Sequence, residues 1–219
     1  MKRYLLSFIL GCSLLSTGGQ ALARQVDVIA EAVATVQASG ARGEPEGFRF
    51  FNIVGSSSRF ASFGIVEFNL SAARGLTLSP NSSMKLALTQ RNANFSRGGR
   101  YSIHLAGGGL DESIFPGSVH FRFNVEEGER GMNVSGVDYP IWKIGEGTFD
   151  LLESGHVDSI PFTLSDWPTA AGLYFQEALT NGSRIRIFLL PEDSSVAATW
   201  SGVEPSRNFS PPTLVLDFR

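Results

Sequence analysis

Cysteine is almost absent from this 219-residue chain, and the one example is Cys12. Cys12 lies in an apolar run at residues 4–15, which follows a basic start and leads to the small residues Ala21 and Ala23. This three-part pattern is typical of a secretory signal peptide. Cleavage after Ala23 would leave a mature chain without cysteine, so its stability must come from a hydrophobic core rather than from disulfides.

Long hydrophobic runs are also absent, because no apolar stretch reaches the ~20 residues that a membrane-spanning helix needs. We therefore predict a signal peptide at residues 1–23 and a single secreted or cell-surface domain at residues 24–219, with no transmembrane segment in the mature chain. Lipidation at Cys12 is the alternative, since residues 9–12 partly match a bacterial lipoprotein motif. Leu10 fits that motif poorly, and apolar residues continue beyond Cys12.

Charge is sparse and slightly negative. Charged residues make up 18% of the chain and the net charge is −3, which becomes −5 when Lys2 and Arg3 are removed with the signal peptide. This balance argues against nucleic acid and anionic membranes as partners. The apolar fraction of 42% is that of a folded domain.

Apolar and polar residues alternate with a period of two along most of the chain, which predicts β-strands. Gly98 and Gly99 predict a hairpin between two of these strands. Pro161 predicts that its strand lies at an edge or that the position of its missing N–H faces solvent. The predicted strands span residues 31–38, 48–54, 62–70, 84–89, 101–105, 119–125, 139–144, 148–152, 160–164, 184–190 and 213–218. Residues 62–70 are apolar on both faces and predict a central strand.

One helix is predicted between Asp166, which can cap it, and the Asn181-Gly182 pair, which can stop it. Pro168 suits the first turn of such a helix. Many short strands with one short helix predict an all-β fold, an antiparallel β-sandwich of the jelly-roll type.

The order of these pieces resembles the DNRLRE-type extracellular β-sandwich domains, which are similar to certain carbohydrate-binding modules. The matching segments are residues 63–70, 84–88, 160–164, 170–182, 184–190 and 210–217. The resemblance spans most of residues 31–218 and consists of strand patterns. It implies an exported bacterial β-sandwich that binds an extracellular polysaccharide or a cell-surface glycan. It implies no catalytic residue and no cofactor other than the structural calcium ion that such modules often hold.

Aromatic side chains are the candidate ligand contacts, because an aromatic ring can stack on the apolar face of a sugar. Tyr139 and Trp142 lie in a glycine-bounded stretch, and Trp200 lies in a segment rich in loop residues, so we predict these three as ligand-binding residues. Trp167 is a further candidate for sugar contact. The alternative for each tryptophan is core packing, which is its commonest role in a sandwich.

No catalytic motif accompanies these aromatics. His104 and His120 are expected on the polar faces of strands, and His156 lies in a loop; none has a second ligand at metal-binding spacing. The chain lacks a Gly-x-Ser-x-Gly elbow. We therefore predict a module without enzymatic activity and can identify no metal ligands. A structural matrix or envelope protein and a polysaccharide-active enzyme remain the alternatives, and a cleft with two carboxylates or a histidine–acid pair would favour the enzyme.

Overall fold

The structure is a computed structural model. It describes residues 24–37, 40–41, 49–55, 60–79, 82–106, 119–120, 131–134, 137–163, 169–204 and 208–218. The described residues form thirteen strands and one α-helix, α1, at Thr169–Asn181. The strands are β1 Arg24–Gln37, β2 Gly40–Ala41, β3 Phe50–Val54, β4 Ser62–Asn69, β5 Ser83–Thr89, β6 Gly99–Ala106, β7 Val119–His120, β8 Gly131–Val134, β9 Val137–Phe149, β10 Val157–Thr163, β11 Arg184–Pro191, β12 Ala197–Ser201 and β13 Thr213–Phe218.

All the strand pairs are antiparallel, so the all-β prediction is confirmed. The main order is β10-β5-β13-β1-β4-β11-β6-β9-β8-β7, and β12 pairs with β3, which joins β4. Strand β1 pairs with β13 through its first half and with β4 through its second half. A register shift between Ala30 and Ala32 separates the two halves.

Strand β1 connects two parts of the sheet, one that contains β10, β5 and β13 and one that contains β4, β11, β6 and β9. The main core lies between these two parts. Leu86, Ile160 and Leu216 come from β5, β10 and β13, while Val66 and Ile187 come from β4 and β11. All five side chains are at most 3% exposed. Leu86, Ile160 and Leu216 occupy alternate positions of their strands, as the sequence pattern predicts, whereas Val66 and Ile187 lie in central strands that are buried along most of their length.

The opposite face of β4, β11 and β6 is buried as well. The edge strand β2 lies against β7, so the sheet curls until its two edges meet. Inside this curl Phe63 stacks on Phe188 at 5.8 Å between ring centroids. The Arg186 guanidinium donates to the Glu67 carboxylate at 2.6 Å, which pairs the two buried charges.

Helix α1 covers one end of the main core with Ala171, Phe175 and Ala178, all of them buried. Gly182 ends the helix with a φ of +65°. Glycine adopts this left-handed conformation without steric strain, whereas residues with a Cβ are strained there. The predicted helix and its stop are therefore confirmed, while Asp166 and Pro168 lie outside the described residues. Within the described part of the chain, no helix is long and apolar enough to cross a membrane.

The predicted hairpin at Gly98-Gly99 is wrong. Strand β5 pairs with β10 and β13, whereas β6 pairs with β9 and β11, so the intervening residues cross between the two parts of the sheet. Two weaker predicted strands, at residues 139–144 and 148–152, are one continuous strand, β9. The predicted strand at residues 119–125 is described only at β7. The edge position of Pro161 is confirmed, because among the described strands β10 pairs with β5 alone.

Candidate functional site

Trp200 does not present its ring to a ligand, because it is completely buried. Its ring lies 5.5 Å from Phe51, 5.0 Å from Tyr101 and 5.6 Å from Phe149, measured between centroids. Its indole N–H donates to the Asp158 carboxylate at 2.7 Å. The segment predicted as loop is strand β12, and the predicted ligand contact is corrected to a core residue.

Trp142 and Tyr139 both lie on β9, far along the strand order from the β12–β3 ribbon that holds Trp200. Trp142 is partly buried against the main core, with its ring 5.7 Å from that of Tyr174 on α1. Tyr139 pairs with Met132 of β8, and its side chain lies outside the described residues, as does Trp167. Trp200 therefore contributes no exposed ring that could form a binding platform with Trp142.

A different cleft carries exposed aromatic rings. Phe60 is 55% exposed and Phe95 is 49% exposed, and both line a cleft of about 440 Å³. This phenylalanine cleft is lined, among the described residues, by Gln37, Asn52, Val54, Phe60, Phe95, Arg97, Ser194, Ser195, Val196 and Ala197. Its volume lies within the ~300–1,000 Å³ range of ligand pockets.

Local turns hold the cleft residues in place. Ser96 donates its N–H to the carbonyl of Ala93 and accepts from the N–H of Ala93 through its hydroxyl, both at 2.9 Å, which fixes Phe95 between them. On the floor, the Thr35 hydroxyl donates to the Asn52 side-chain carbonyl at 3.2 Å. That bond occupies the acceptor of the Asn52 amide and leaves its NH₂ group as the donor.

The opposite wall of the cleft is the turn that carries Ser194 and Ser195. Asp193 anchors this turn by accepting from the Arg100 backbone N–H at 2.8 Å and from the Arg100 guanidinium at 3.1 Å. These bonds from Arg100 lower the pKa of the Asp193 carboxyl, because they stabilise its charged form. Arg100 also lines a second cavity, so this ion pair lies between the two sites.

The second cavity lies at the seam where β9 passes β10, and its volume is about 490 Å³. We call it the acidic cavity, because three carboxylates line it, those of Glu146, Asp150 and Asp158. The other described lining residues are Arg100, Tyr101, Gly147, Thr148, His156, Val157, Ser159 and Ile160. Glu146 forms an ion pair with Lys143, and Arg100 forms one with Asp193.

Asp158 is buried in the wall of this cavity. Burial raises the pKa of its carboxyl, although N–H donors from Trp200 and Gln90 oppose the shift. The Gln90 side chain donates to Asp158 at 2.6 Å and accepts from the Leu152 backbone N–H at 3.1 Å. Gln90 thereby ties the carboxylate to the turn that joins β9 and β10.

The Tyr101 hydroxyl is the unusual group of the acidic cavity. The side chain is completely buried, and the hydroxyl has no hydrogen-bond partner among the described residues. Burial raises its pKa well above the usual value, and the nearby carboxylates of Asp158 and Asp150 raise it further. The Tyr101 ring lies over Gly147, its cross-strand neighbour. A Cβ at Gly147 would come within 2.5 Å of the ring.

The histidines differ from the sequence prediction. His104 is buried inside the curled sheet, with its Nε2 2.8 Å from the Ser102 hydroxyl, so its predicted surface position is wrong. The side chain of His120 lies outside the described residues. His156 is exposed at the acidic cavity, with its Nε2 4.0 Å from Asp158. No group of three histidine, cysteine or acidic side chains in the described residues is placed to hold a metal ion.

Sequence reasoning missed both Phe60 and Asp158. Phe60 is one of 17 phenylalanines, and nothing in its neighbours marks it as exposed. The burial of Asp158 could have been predicted from the alternation of β10. Asp158 lies two residues before Ile160 and four before Phe162, which places it on the same inward face of the strand. In the structure it pairs with Leu88. An acid at an inward position of an alternating strand indicates a buried, hydrogen-bonded carboxylate.

The sequence was compared with protein-family models and with curated proteins. No family model matches the chain, and no curated protein matches it.

Proposed function

We propose that this protein is an exported, non-catalytic module that binds an extracellular polysaccharide or a cell-surface glycan through the phenylalanine cleft. The observation that carries the proposal is the pair of half-exposed rings, Phe60 and Phe95, on one cleft. Large apolar side chains are costly to expose, and those that line a cleft are typical of binding sites.

The cleft combines the two kinds of contact that a sugar needs. The phenylalanine rings offer apolar faces, on which the C–H face of a pyranose can stack. Around them the amide of Asn52, the amide of Gln37 and the exposed guanidinium of Arg97 can donate hydrogen bonds to sugar hydroxyls or carboxylates. An open cleft desolvates little surface, so we expect weak binding, with a dissociation constant of about 1 μM to 1 mM.

The lining of the cleft favours binding over cleavage. Its described residues include no carboxylate and no histidine, whereas glycoside hydrolysis requires a pair of acids across the bond. The acidic cavity is the place where an enzyme would act, since His156 and Asp158 meet there. Both oxygens of Asp158 already accept hydrogen bonds from Gln90 and Trp200, which is the arrangement of a carboxylate that holds core residues in place.

The proposal includes the export route and the finer fold type. The proposed mature chain starts at Arg24, and Arg24 pairs with Phe218 of β13. The two parts of the sheet with a core between them are compatible with the proposed jelly-roll sandwich and with the resemblance to carbohydrate-binding modules. N-terminal sequencing of protein exported by a bacterial host is expected to read from Arg24. A lipid-modified Cys12 would instead make the protein membrane-tethered.

Binding is tested with the mature protein in native gels that contain soluble polysaccharides, and by pull-down on insoluble ones. Neutral and uronic acid-containing polymers should both be included, because Arg97 favours an acidic partner. Phe60→Ala and Phe95→Ala should each weaken binding about tenfold, equivalent to about 1.4 kcal/mol. Because both rings are half exposed, neither change should alter unfolding by more than about 1 kcal/mol.

Leu173→Ala is the matched control, since Leu173 is 66% exposed on α1 and lies away from the cleft. It should leave binding unchanged. Equal losses in all three variants would show that the cleft is not the site. Absence of binding across the panel would favour a structural role in the matrix or envelope, and release of oligosaccharides would favour the enzyme.

A further inference from the structure

The acidic cavity contains a group that the fold does not use. The Tyr101 hydroxyl is buried and has no hydrogen-bond partner in the described part of the chain. A buried hydroxyl without a partner is less stable than one that is hydrogen-bonded, because it has lost its bonds to water without replacing them. Phenylalanine would keep the ring packing on Trp200 and Gly147 without that cost, so packing alone gives no reason for the hydroxyl.

The cavity is richer in acceptors than in donors. Glu146, Asp150 and Asp158 contribute carboxylates, which only accept hydrogen bonds when ionised. The charged donors near them are partly engaged, because Arg100 pairs with Asp193 and Lys143 pairs with Glu146 and Glu192. The His156 Nε2 lies 4.0 Å from the Asp158 carboxylate in the same lining. A ligand that brings a positive charge and several N–H donors would complement this set.

A primary ammonium group has these properties, with three donors and no acceptor. Hydroxyls of Tyr101, Thr148 and Ser159 line the same cavity and can exchange hydrogen bonds with hydroxyls of a ligand. The volume of about 490 Å³ lies within the range of small-molecule pockets. No group of three ligating side chains in the described residues is placed to hold a metal ion, which favours an organic cation.

We propose that the acidic cavity binds an amino sugar with a free amino group, with its ammonium at the carboxylates of Glu146 and Asp150 and a sugar hydroxyl at the Tyr101 hydroxyl. This site is separate from the phenylalanine cleft and shares none of its described lining residues. The proposal therefore stands whether or not that cleft binds glycan.

The test is titration of the mature, isotopically labelled protein with glucosamine, followed by amide NMR shifts. N-acetylglucosamine and putrescine are the comparison probes, since one lacks the ammonium and the other lacks hydroxyls. Glucosamine should bind at least about tenfold more tightly than either, and its affinity should fall as salt is added. Equal affinity for N-acetylglucosamine would refute the role of the carboxylates, and equal affinity for putrescine would refute the role of the hydroxyls.

Tyr101→Phe distinguishes a ligand contact from a structural residue. It should weaken glucosamine binding about fivefold to tenfold and leave the melting temperature unchanged or higher, because it removes an unsatisfied buried hydroxyl. Asp150→Asn, at an exposed position, should also weaken binding without unfolding the protein. Phe95→Ala should not affect glucosamine. Unchanged glucosamine affinity in Tyr101→Phe would overturn the proposal, and a loss in Phe95→Ala as large as that in Tyr101→Phe would overturn the assignment to this cavity.

Discussion

Trp200 contributes to stability through both its ring and its N–H group. The Trp200→Phe variant tests whether Trp200 is a core residue rather than an exposed surface aromatic. The change removes the N–H donor to Asp158 and part of a ring that contacts Phe51, Tyr101 and Phe149. A hydrogen bond to a charged group contributes about 1.5–3 kcal/mol, and the lost ring volume adds about 1 kcal/mol. We expect a loss of about 2–4 kcal/mol from a total of about 5–15 kcal/mol.

The assay is urea unfolding followed by circular dichroism. With a slope of about 2 kcal/mol per molar urea, the midpoint should fall by about 1–2 M at an unchanged slope. Trp142→Phe is the matched control, because Trp142 is only partly buried, and it should cost less than about 1 kcal/mol. Equal midpoint shifts in the two variants would refute the assignment of Trp200 to the core.

The same variant has a predicted pH dependence. The Trp200 N–H is one of the interactions that lower the pKa of Asp158, against the larger effect of burial. Its removal should raise that pKa further. A carboxyl whose pKa is raised by folding reduces stability as pH rises through that pKa, because the unfolded chain ionises first. The loss in Trp200→Phe should therefore be greater at pH 7 than in acid, where Asp158 is protonated in both states.

Three further changes test the packing and the buried carboxylate by the same unfolding assay. Gly147→Ala should lower the free energy of unfolding by about 1–3 kcal/mol, because its Cβ would meet the Tyr101 ring. Gly172→Ala has open space around it on α1 and should raise the free energy of unfolding by about 0.5–1 kcal/mol. A change of the same sign in both variants would contradict the close approach of Gly147 to Tyr101. Leu216→Ala, at a completely buried position of β13, should cost about 2–5 kcal/mol, and a loss below 1 kcal/mol would show that β13 does not close the core. Asp158→Asn should cost about 1–3 kcal/mol, since one of its two N–H donors loses an acceptor. The difference in free energy of unfolding between Asp158→Asn and the wild type should be largest in acid, because only the wild type loses stability as Asp158 ionises. A difference that grows as the pH rises would contradict the raised pKa of Asp158.

Sequence pattern identified most strands and failed on their partners. The alternation around Leu86 and around Leu216 gave both strands and their inward faces, because burial on one side imposes a period of two. Nothing in that alternation says that β5 pairs with β13 instead of β6. Gly98 and Gly99 permit a hairpin, but pairing depends on which apolar faces meet across the whole chain.

The candidate site was less accessible to sequence reasoning. Tryptophan drew attention as the largest aromatic, yet Trp200 satisfies its ring and its N–H inside the core. The exposed rings are phenylalanines, and their exposure follows from the turn at Ala93–Ser96 and from the shape of the cleft. Such features arise only when distant segments are folded together.

The pairing of Arg24 with Phe218 has a consequence for how the protein reaches its folded state. The first half of β1 pairs with β13, which follows every other described strand, so all of those strands must be synthesised before this edge is satisfied. Contacts so distant in sequence slow folding. A chain that emerges N-terminus first would carry β1 as an unpaired, partly apolar edge until β13 arrives. Premature termination anywhere upstream of β13 would leave that edge open to aggregation or proteolysis.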